Sequence, residues 1–364
     1  MSSWAPLALI GTTAAFLVLP VVPALYELRK RADAAPLPTS RHDGRIVNFA
    51  EVFESRMDLL RPRLEECRAN NEIRRATLAG QEVLLVGRRD FDFDPALLRG
   101  MVAVICSHGA VIPAASVIEA DLHAGEMLEI GEGAALRAAL GAGHILAGRN
   151  SAILRWLHAH GSVHLRAGST AYGRLSAGQC ILLEPGCHFE HMYAPNILTC
   201  GNQKPSATSL PFRTDTDASQ PHSVPLAVGP ASDVFDSSRS RLRIEGDFIL
   251  PAGETRKANV IASGVVRFGC GSRLFGSAKS YKDVILEEDS QVHGSIVCGR
   301  SLRLGPRSFI AGPATSESNV VIAQGSRVGT AEALTTVTSC EVTIAPGCEL
   351  HGTVWARKLG SVEA

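Results

Sequence analysis

The apolar positions in the C-terminal third of the chain recur at a constant step, as from position 248 to 266, 284, 302 and 320. Three series run through Phe248 to Val354, and each ends with one longer step, across an insertion around 331–339. A fixed period of this size is typical of a solenoid, in which every repeat forms one coil. The series are Phe248, Val266, Val284, Leu302, Val320 and Val342; Leu250, Phe268, Leu286, Leu304, Ile322 and Ile344; and Leu274, Val292, Ile310, Val328 and Leu350.

The residue types within one repeat predict short strands joined by tight corners. The first two series are offset by two positions, so their side chains share one face of a strand. Most members are β-branched or aliphatic, as pleated surfaces prefer. Asp289, Gly305–Pro306 and Pro346–Gly347 supply the special φ angles that corners need. The pattern predicts a parallel β-helix with turns of about 18 residues and rungs about 4.8 Å apart. A β-sandwich is the alternative, but it has no reason to keep this period.

A looser form of the same pattern precedes the repeat. Its steps run from position 128 to 146, 163 and 181, so the middle step is one shorter than the others. The chain is therefore predicted to hold two solenoid blocks, 100–200 and 243–358, and the predicted fold class is all-β. The series are Leu128, Leu146, Val163 and Ile181; Ile130, Gly148, Leu165 and Leu183; and Leu136, Leu154, Ala171 and Phe189.

The remaining segments are predicted to connect or to cover these blocks. Residues 201–242 are rich in Pro, Ser, Thr and Asp, which indicates a flexible insertion. Residues 32–99 contain a linker, a helical pattern from Asn48 to about Asn70, and entry strands such as Glu82–Val86. We expect the helix to cap the open solenoid end rather than to lie along a membrane. Residues 359–364 are predicted to form a short polar tail.

Residues 1–31 have the pattern of a membrane anchor. The segment from Trp4 to Tyr26 contains no charge and would span about 34 Å as a helix, against a hydrocarbon core of about 30 Å. Trp4 and Tyr26 lie where interface aromatics belong, and Arg29, Lys30 and Arg31 follow. The positive-inside rule then predicts a single pass with the solenoid in the cytoplasm. A cleaved signal peptide is the alternative, although its usual basic start is missing.

The composition and the absence of known motifs exclude some classes of partner and of catalytic site. Lys+Arg and Asp+Glu number 36 each, and a net charge of zero argues against nucleic acid. The nine cysteines include no CxxC pair and indicate small core residues of a reduced compartment. No phosphate loop, dinucleotide fingerprint or nucleophile elbow occurs. We therefore predict no cofactor and no catalytic residue.

A group of histidines in the first block is the one candidate for chemistry. It could bind a metal or act as a general base, as in acyltransferases built on left-handed β-helices. Cys187 with His188 and His191 could form half of a zinc site. The alternative is a set of exposed corner residues, and no acid–histidine spacing supports a metal-binding or catalytic role. The histidines are His144, His158, His160, His164, His188 and His191.

The left-handed class also requires an aliphatic residue at every sixth position. In the series that starts at Phe268, every third member is a serine or cysteine: Ser280, Cys298 and Ser316. This departure weakens the acyltransferase hypothesis.

Three runs resemble the repeat of the bactofilins, the bacterial polymer-forming cytoskeletal proteins. They are Val292–Val297 (VHGSIV), Leu302–Gly312 (LRLGPRSFIAG) and Val342–Val354 (VTIAPGCELHGTV). The resemblance covers 243–358 well and 115–200 weakly. It implies a right-handed β-helix that assembles end to end without nucleotide, often at the bacterial inner membrane, as a scaffold for envelope or polysaccharide machinery. The two blocks, the long insertion and the membrane segment depart from the family pattern.

These observations predict a self-associating scaffold anchored in the inner membrane. Its partners would be further copies of itself and envelope or polysaccharide-synthesis proteins. The C-terminal rungs are the candidate self-association surface, because little chain remains to cover them: Val328, Ile344, Leu350 and Val354. The alternatives are an acyltransferase-type enzyme and a non-polymerising accessory subunit of a polysaccharide synthase or secretion complex.

Overall fold

The computed structural model describes residues 45–200 and 241–363, with seven scattered positions between Trp4 and Val22. Contacts divide the chain into residues 1–45 and 46–364, and the solenoid belongs to the second unit. Within the described residues, no helix is both long and apolar enough to cross a membrane. The predicted anchor lies outside the described residues, apart from those scattered positions, and stays a prediction. Of its marker residues only Trp4 is described, whereas Tyr26, Arg29, Lys30 and Arg31 are not.

The described residues of the second unit form thirty strands and a small helical layer. The helices are α1 (Asn48–Met57), α2 (Arg61–Asn70) and α3 (Pro95–Leu98), with a 3₁₀ turn at Asp58–Leu60. The strands are β1 (Ile73–Leu78), β2 (Gln81–Val86), β3 (Ala103–Cys106), β4 (Ala110–Ile112), β5 (Val117–Ala124), β6 (Leu128–Ile130), β7 (Ala135–Gly141), β8 (Ile145–Ala147), β9 (Ala152–Ala159), β10 (Val163–Leu165), β11 (Thr170–Ala177), β12 (Cys180–Leu183), β13 (His188–Thr199), β14 (Arg241–Ile244), β15 (Phe248–Leu250), β16 (Thr255–Lys257), β17 (Asn259–Ala262), β18 (Val266–Phe268), β19 (Arg273–Phe275), β20 (Ala278–Ser280), β21 (Val284–Leu286), β22 (Gln291–Val292), β23 (Ile296–Cys298), β24 (Ser301–Leu304), β25 (Phe309–Ile310), β26 (Ala314–Ser316), β27 (Asn319–Ile322), β28 (Arg327–Val328), β29 (Thr335–Ile344) and β30 (Glu349–Val362).

The strands form a parallel β-solenoid of about 13 turns, each with three short sides. In the second block, each member of the three predicted series is paired with the next one in parallel register. All of these side chains are buried in one continuous core. The predicted β-helix and the register of its second block are therefore confirmed.

The predicted register of the first block is wrong by one residue over a single turn. Leu128 pairs with Ile145 rather than Leu146. Likewise Leu136 pairs with Ile153, while the predicted Leu154 is 50% exposed. Side chains alternate between the two faces of a strand, so a slip of one residue moves a whole set from the core to the surface. The shorter turn thus lies one turn earlier than predicted.

A column of small buried residues fills one corner of the coil. Ser308 and Ser326 are stacked with their hydroxyl oxygens 3.3 Å apart, and the Ser326 hydroxyl donates to the Gly305 carbonyl oxygen at 2.8 Å. Glycine is required at another corner, because a Cβ on Gly276 would lie 2.1 Å from the Ala258 carbonyl oxygen. The corner column comprises Ser151, Ser169 and Cys187 in the first block and Ser272, Ser290, Ser308, Ser326 and Cys348 in the second.

The helical layer packs against the flank of the first block instead of capping an end. Phe53 of α1 lies against Trp156 of β9, with ring centroids 5.4 Å apart. Val83 and Leu85 of β2 also belong to this outer cluster, whereas Leu84 and Val86 face the solenoid core. This side of the first block is therefore apolar on both faces, and the helices cover the outer one. The predicted helix exists, but its predicted role as a cap is wrong.

The N-terminal end of the first block is covered by β1, which forms an antiparallel hairpin with β2. Phe93 and Met101 are buried against the core at the same end. Arg74 and Arg75 lie on β1 and form ion pairs with Glu66, Glu72 and Glu82, which leave charged side chains of both signs along this strand. Charged side chains on an edge strand discourage pairing with another chain. The solenoid also begins earlier than predicted, because β2 already pairs with β3 of the next rung.

The two blocks are joined at their C-terminal ends, with their chain directions opposed. β13, the last strand of the first block, pairs antiparallel with β30, the last strand of the second. β30 continues to Val362, which is 2% exposed, so the predicted polar tail from residue 359 is wrong. β13 therefore ends at the joint, whereas β14 begins at the opposite end of the second block.

Alanine substitutions at Ile153 and Leu154 test the corrected register. We expect Ile153→Ala to lower the free energy of unfolding by about 2–5 kcal/mol, because it leaves a core cavity. Leu154→Ala, its matched control, removes the same number of carbon atoms from an exposed face and should cost less than about 1 kcal/mol. Urea unfolding followed by circular dichroism measures both. Equal losses would contradict the register.

Candidate functional site

The four predicted self-association residues lie inside the molecule, at the joint. Leu350 pairs with Ile197, and Val354 pairs with Met192, across the antiparallel contact of β13 and β30. Val328 lies beside Leu350 on the preceding rung, and Ile344 lies beside Val362. All four are at most 1% exposed. The expectation of an uncovered C-terminal end is wrong, because the first block covers it.

The joint is held by two reciprocal pairs of backbone hydrogen bonds. Gly186 N–H donates to the Val362 carbonyl oxygen at 3.0 Å, and Val362 N–H donates to that of Cys187 at 2.9 Å. At the opposite corner, Gly347 N–H donates to the Thr199 carbonyl oxygen at 2.8 Å, and Thr199 N–H donates to that of Cys348 at 3.1 Å. Each block thus presents a Pro-Gly-Cys corner that binds the last strand of the other. This arrangement approximates a two-fold axis within one chain.

The Thr199 side chain closes one of these corners. Its hydroxyl donates to the Ala345 carbonyl oxygen at 2.7 Å and accepts from Cys348 N–H at 2.9 Å. The residue is 5% exposed, so these partners replace water for the hydroxyl. Sequence reasoning missed this residue, because nothing in the sequence signals a contact between positions 199 and 345.

His351 also joins the two blocks, and sequence reasoning did not single it out. One ring nitrogen, Nδ1, lies 2.9 Å from the Pro195 carbonyl oxygen, and Nε2 lies 3.2 Å from Glu349 Oε1. Burial opposes a charge on the ring, but the hydrogen bonds to Glu349 and Pro195 outweigh it and raise the pKa of His351. Both nitrogens face acceptors, which favours the protonated form.

Within the described residues, one solenoid end is left without a covering strand. No described strand pairs with the outer edge of β14, β15 or β16, the first rung of the second block. Phe248 N–H donates to the Val265 carbonyl oxygen at 2.8 Å, and the Leu250 carbonyl oxygen accepts from Gly269 N–H at 2.9 Å. Backbone groups alternate in direction along a parallel strand, so those of Ile249 face outward from this end. The Ile249 side chain is 63% exposed on the solenoid flank.

The rim of this open end carries charges of both signs. The basic residues Arg241, Arg243 and Lys257 are exposed. The acidic residues Glu245 and Asp247 are exposed as well, at the corner between β14 and β15. The rim therefore has no single-sign field that would repel a chemically similar surface.

The histidines of the first block do not converge on one site. His158 and His160 are adjacent, with ring centroids 5.4 Å apart. His158 Nδ1 lies 2.8 Å from the Ser176 hydroxyl oxygen, and burial lowers the pKa of His158 to about 4. His160 Nε2 lies 3.4 Å from Glu54 Oε2, which links the residue after β9 to α1. These contacts attach the helical layer to the solenoid.

The other predicted histidines have separate structural partners. Buried His164 lies 3.0 Å from Glu184 Oε1, and burial lowers its pKa despite that carboxylate. His144 Nδ1 accepts a hydrogen bond from Ser162 N–H at 3.0 Å. His191 packs edge-on against Trp355, with centroids 4.3 Å apart, on the outer surface of the joint. Their partners differ, so these histidines do not form a common site.

The proposed zinc half-site of Cys187, His188 and His191 is not formed. The Cys187 thiol lies inside the solenoid, 3.3 Å from the Arg166 carbonyl oxygen, and burial raises its pKa to about 11. His188 and His191 are only partly buried, and the fully buried thiol cannot join them at one ion. Across residues 45–200 and 241–363, no group of three or more His, Cys, Asp or Glu residues is placed to hold a metal.

The second block carries a shallow groove on its surface. It has a volume of about 520 Å³. Asp283 Oδ1 accepts the Ser301 N–H at 2.9 Å, so this carboxylate is engaged in holding a corner. The lining residues are Asp283, Ile285, Arg300, Ser301, Arg303 and Ser318. They include no acid–base pair or nucleophile with a base.

The chain matches no family model, no curated protein and no solved structure.

The raised pKa of His351 predicts a pH-dependent joint. The charged ring stabilises the folded state at low pH, and this contribution is lost as pH rises from about 6.5 through the higher folded-state pKa. The unfolding temperatures of the native protein and of His351→Gln should therefore converge as the pH rises. His293→Gln is the control, because burial lowers the pKa of His293 and the sign reverses. A native–variant difference that is independent of pH would contradict the assignment.

Cleavage between the blocks tests whether the joint holds by itself. We expect a full-length chain with a protease site inserted within 201–240 to remain one particle after cutting, since β13 and β30 pair along a whole rung. Size-exclusion chromatography of the cut protein measures this. Thr199→Val should loosen the cut complex, whereas Thr77→Val, at an exposed position of β1 at the other end of the first block, should not. Separation of the two halves without any substitution would contradict a self-sufficient joint.

Proposed function

We propose that the protein is a membrane-anchored scaffold that self-associates through a solenoid end and organises cell-envelope or exopolysaccharide assembly machinery. The uncovered rung β14–β16 is the observation that carries this proposal. Its outward N–H and C=O groups form a template for another β-structure. The resemblance of 243–358 to bactofilins supports the same role, with a right-handed coil and the bacterial inner membrane as location. Bound partners would be envelope or polysaccharide-synthesis proteins.

The second candidate is a non-polymerising accessory subunit of a polysaccharide synthase or secretion complex. The covered N-terminal end of the first block favours it, because a filament that grows at both ends needs two open ends. The two candidates share the scaffold role and differ in the extent of self-association. The acyltransferase hypothesis has no specific observation in its favour.

A substitution at Ile249 tests self-association at the open rung. Proline removes the outward N–H donor, while an edge strand tolerates its ring. We expect the full-length protein in detergent to form an oligomer, and Ile249→Pro to weaken this association by at least tenfold. Ile249→Thr is the matched control, because it changes the same side chain but keeps the donor. Light scattering with size-exclusion chromatography measures the mass. A native protein that stays monomeric at high concentration would rule out the scaffold mechanism.

A further inference from the structure

The two blocks have four solenoid ends in total, and three of them are covered. The N-terminal end of the first block is covered by β1 on one side, and Phe93 and Met101 pack against the core at the same end, where β4 has no described strand on its outer edge. The two C-terminal ends cover each other through β13 and β30. In the described part of the chain, the end formed by β14, β15 and β16 is the one at which no side of the rung has a partner strand. The number of open ends limits what can assemble, because a filament needs two such ends per subunit.

The joint shows how two rung ends of this protein fit together. Antiparallel pairing runs along all three sides of the coil: His188 with Ser361, Met192 with Val354, and Leu198 with Glu349. The cross-sections of the two blocks therefore match around their whole perimeter. Val354 and Met192 meet at the central side, and the flanking sides exchange places, as a two-fold axis requires.

The charges at the open end also permit contact with an identical surface. Arg241 and Arg243 lie on β14, and Glu245 and Asp247 follow at the next corner. A rotation that reverses strand direction brings different parts of the rim opposite each other. A contact like the joint places β14 opposite the β14 of the second copy, so Arg241 and Arg243 meet their own counterparts, while the acidic corner at Glu245 and Asp247 lies opposite the end of β16 with Lys257.

We infer that the open end binds the same end of a second copy, which produces a closed two-fold dimer and not a filament. This inference rests on the proposed function and names its partner and stoichiometry. An isologous contact uses the same patch on both subunits, so no open rung remains after dimerisation. With about 13 turns, the rungs of one chain stack over about 62 Å, and the dimer would be a rod of about 125 Å.

Mass measurement and electron microscopy of the full-length protein in detergent test the inference. We expect a particle of twice the chain mass that does not grow with concentration, and a rod of about 125 Å from the rung spacing. Ile249→Pro and Thr255→Pro should each yield the monomer, while Ile249→Thr and Thr255→Ser remain dimeric. Circular dichroism and the unfolding temperature show whether each proline variant is folded. The two substitutions lie on different sides of the rung, so the second can still test the contact if the first variant does not fold.

The outcomes separate this inference from the proposed function. Filaments or larger oligomers that depend on Ile249 would overturn the closed dimer but keep the self-associating scaffold. A dimer that persists in both folded proline variants would overturn the open rung as the contact. A native monomer would overturn both.

Discussion

Backbone hydrogen bonding between stacked rungs is the constraint on which the rest of this structure depends. A parallel strand satisfies its N–H and C=O groups only through the strands on either side of it. An interior rung meets this requirement because it has a neighbouring rung on both sides. A terminal rung has a neighbour on one side only, so half of its backbone groups need another partner. The core side chains, the corner serines and the glycine at position 276 all serve to keep successive rungs in register. The distinctive features of the protein therefore lie where the stacking stops.

The sequence predicts the solenoid well where its period is unbroken. Phe248 and the members of its series keep a constant step as far as Val320, so each one specifies the position of the next. In the first block one turn is shorter by a residue, and both Ile145 and Leu146 are apolar. Their types do not decide which of them is inside. Only the pairing with Leu128 on one side and Val163 on the other settles the choice.

The joint could not be predicted by the same reasoning. Its strands lie far apart in the sequence, and antiparallel contact leaves no periodic mark in either block. Arg357, Lys358 and Glu363 made the last segment resemble a polar tail, although Val362 among them is buried at the corner beside Gly186. The histidines show the opposite case. Their clustering in the sequence is real, but His144, His158 and His164 each bond to a different neighbour on the coil.

The opposed direction of the two blocks has a consequence for synthesis. Val362 leaves the ribosome long after Thr199, although the two residues close opposite corners of the same joint. At common elongation rates the interval between them is on the order of ten to thirty seconds. During that time the first block is complete except for a bare terminal strand, the kind of edge that recruits other chains. The nascent protein thus passes through a stage in which the edge of β13 is unpaired and can bind other chains. This stage ends only when β30 has been synthesised and pairs with β13.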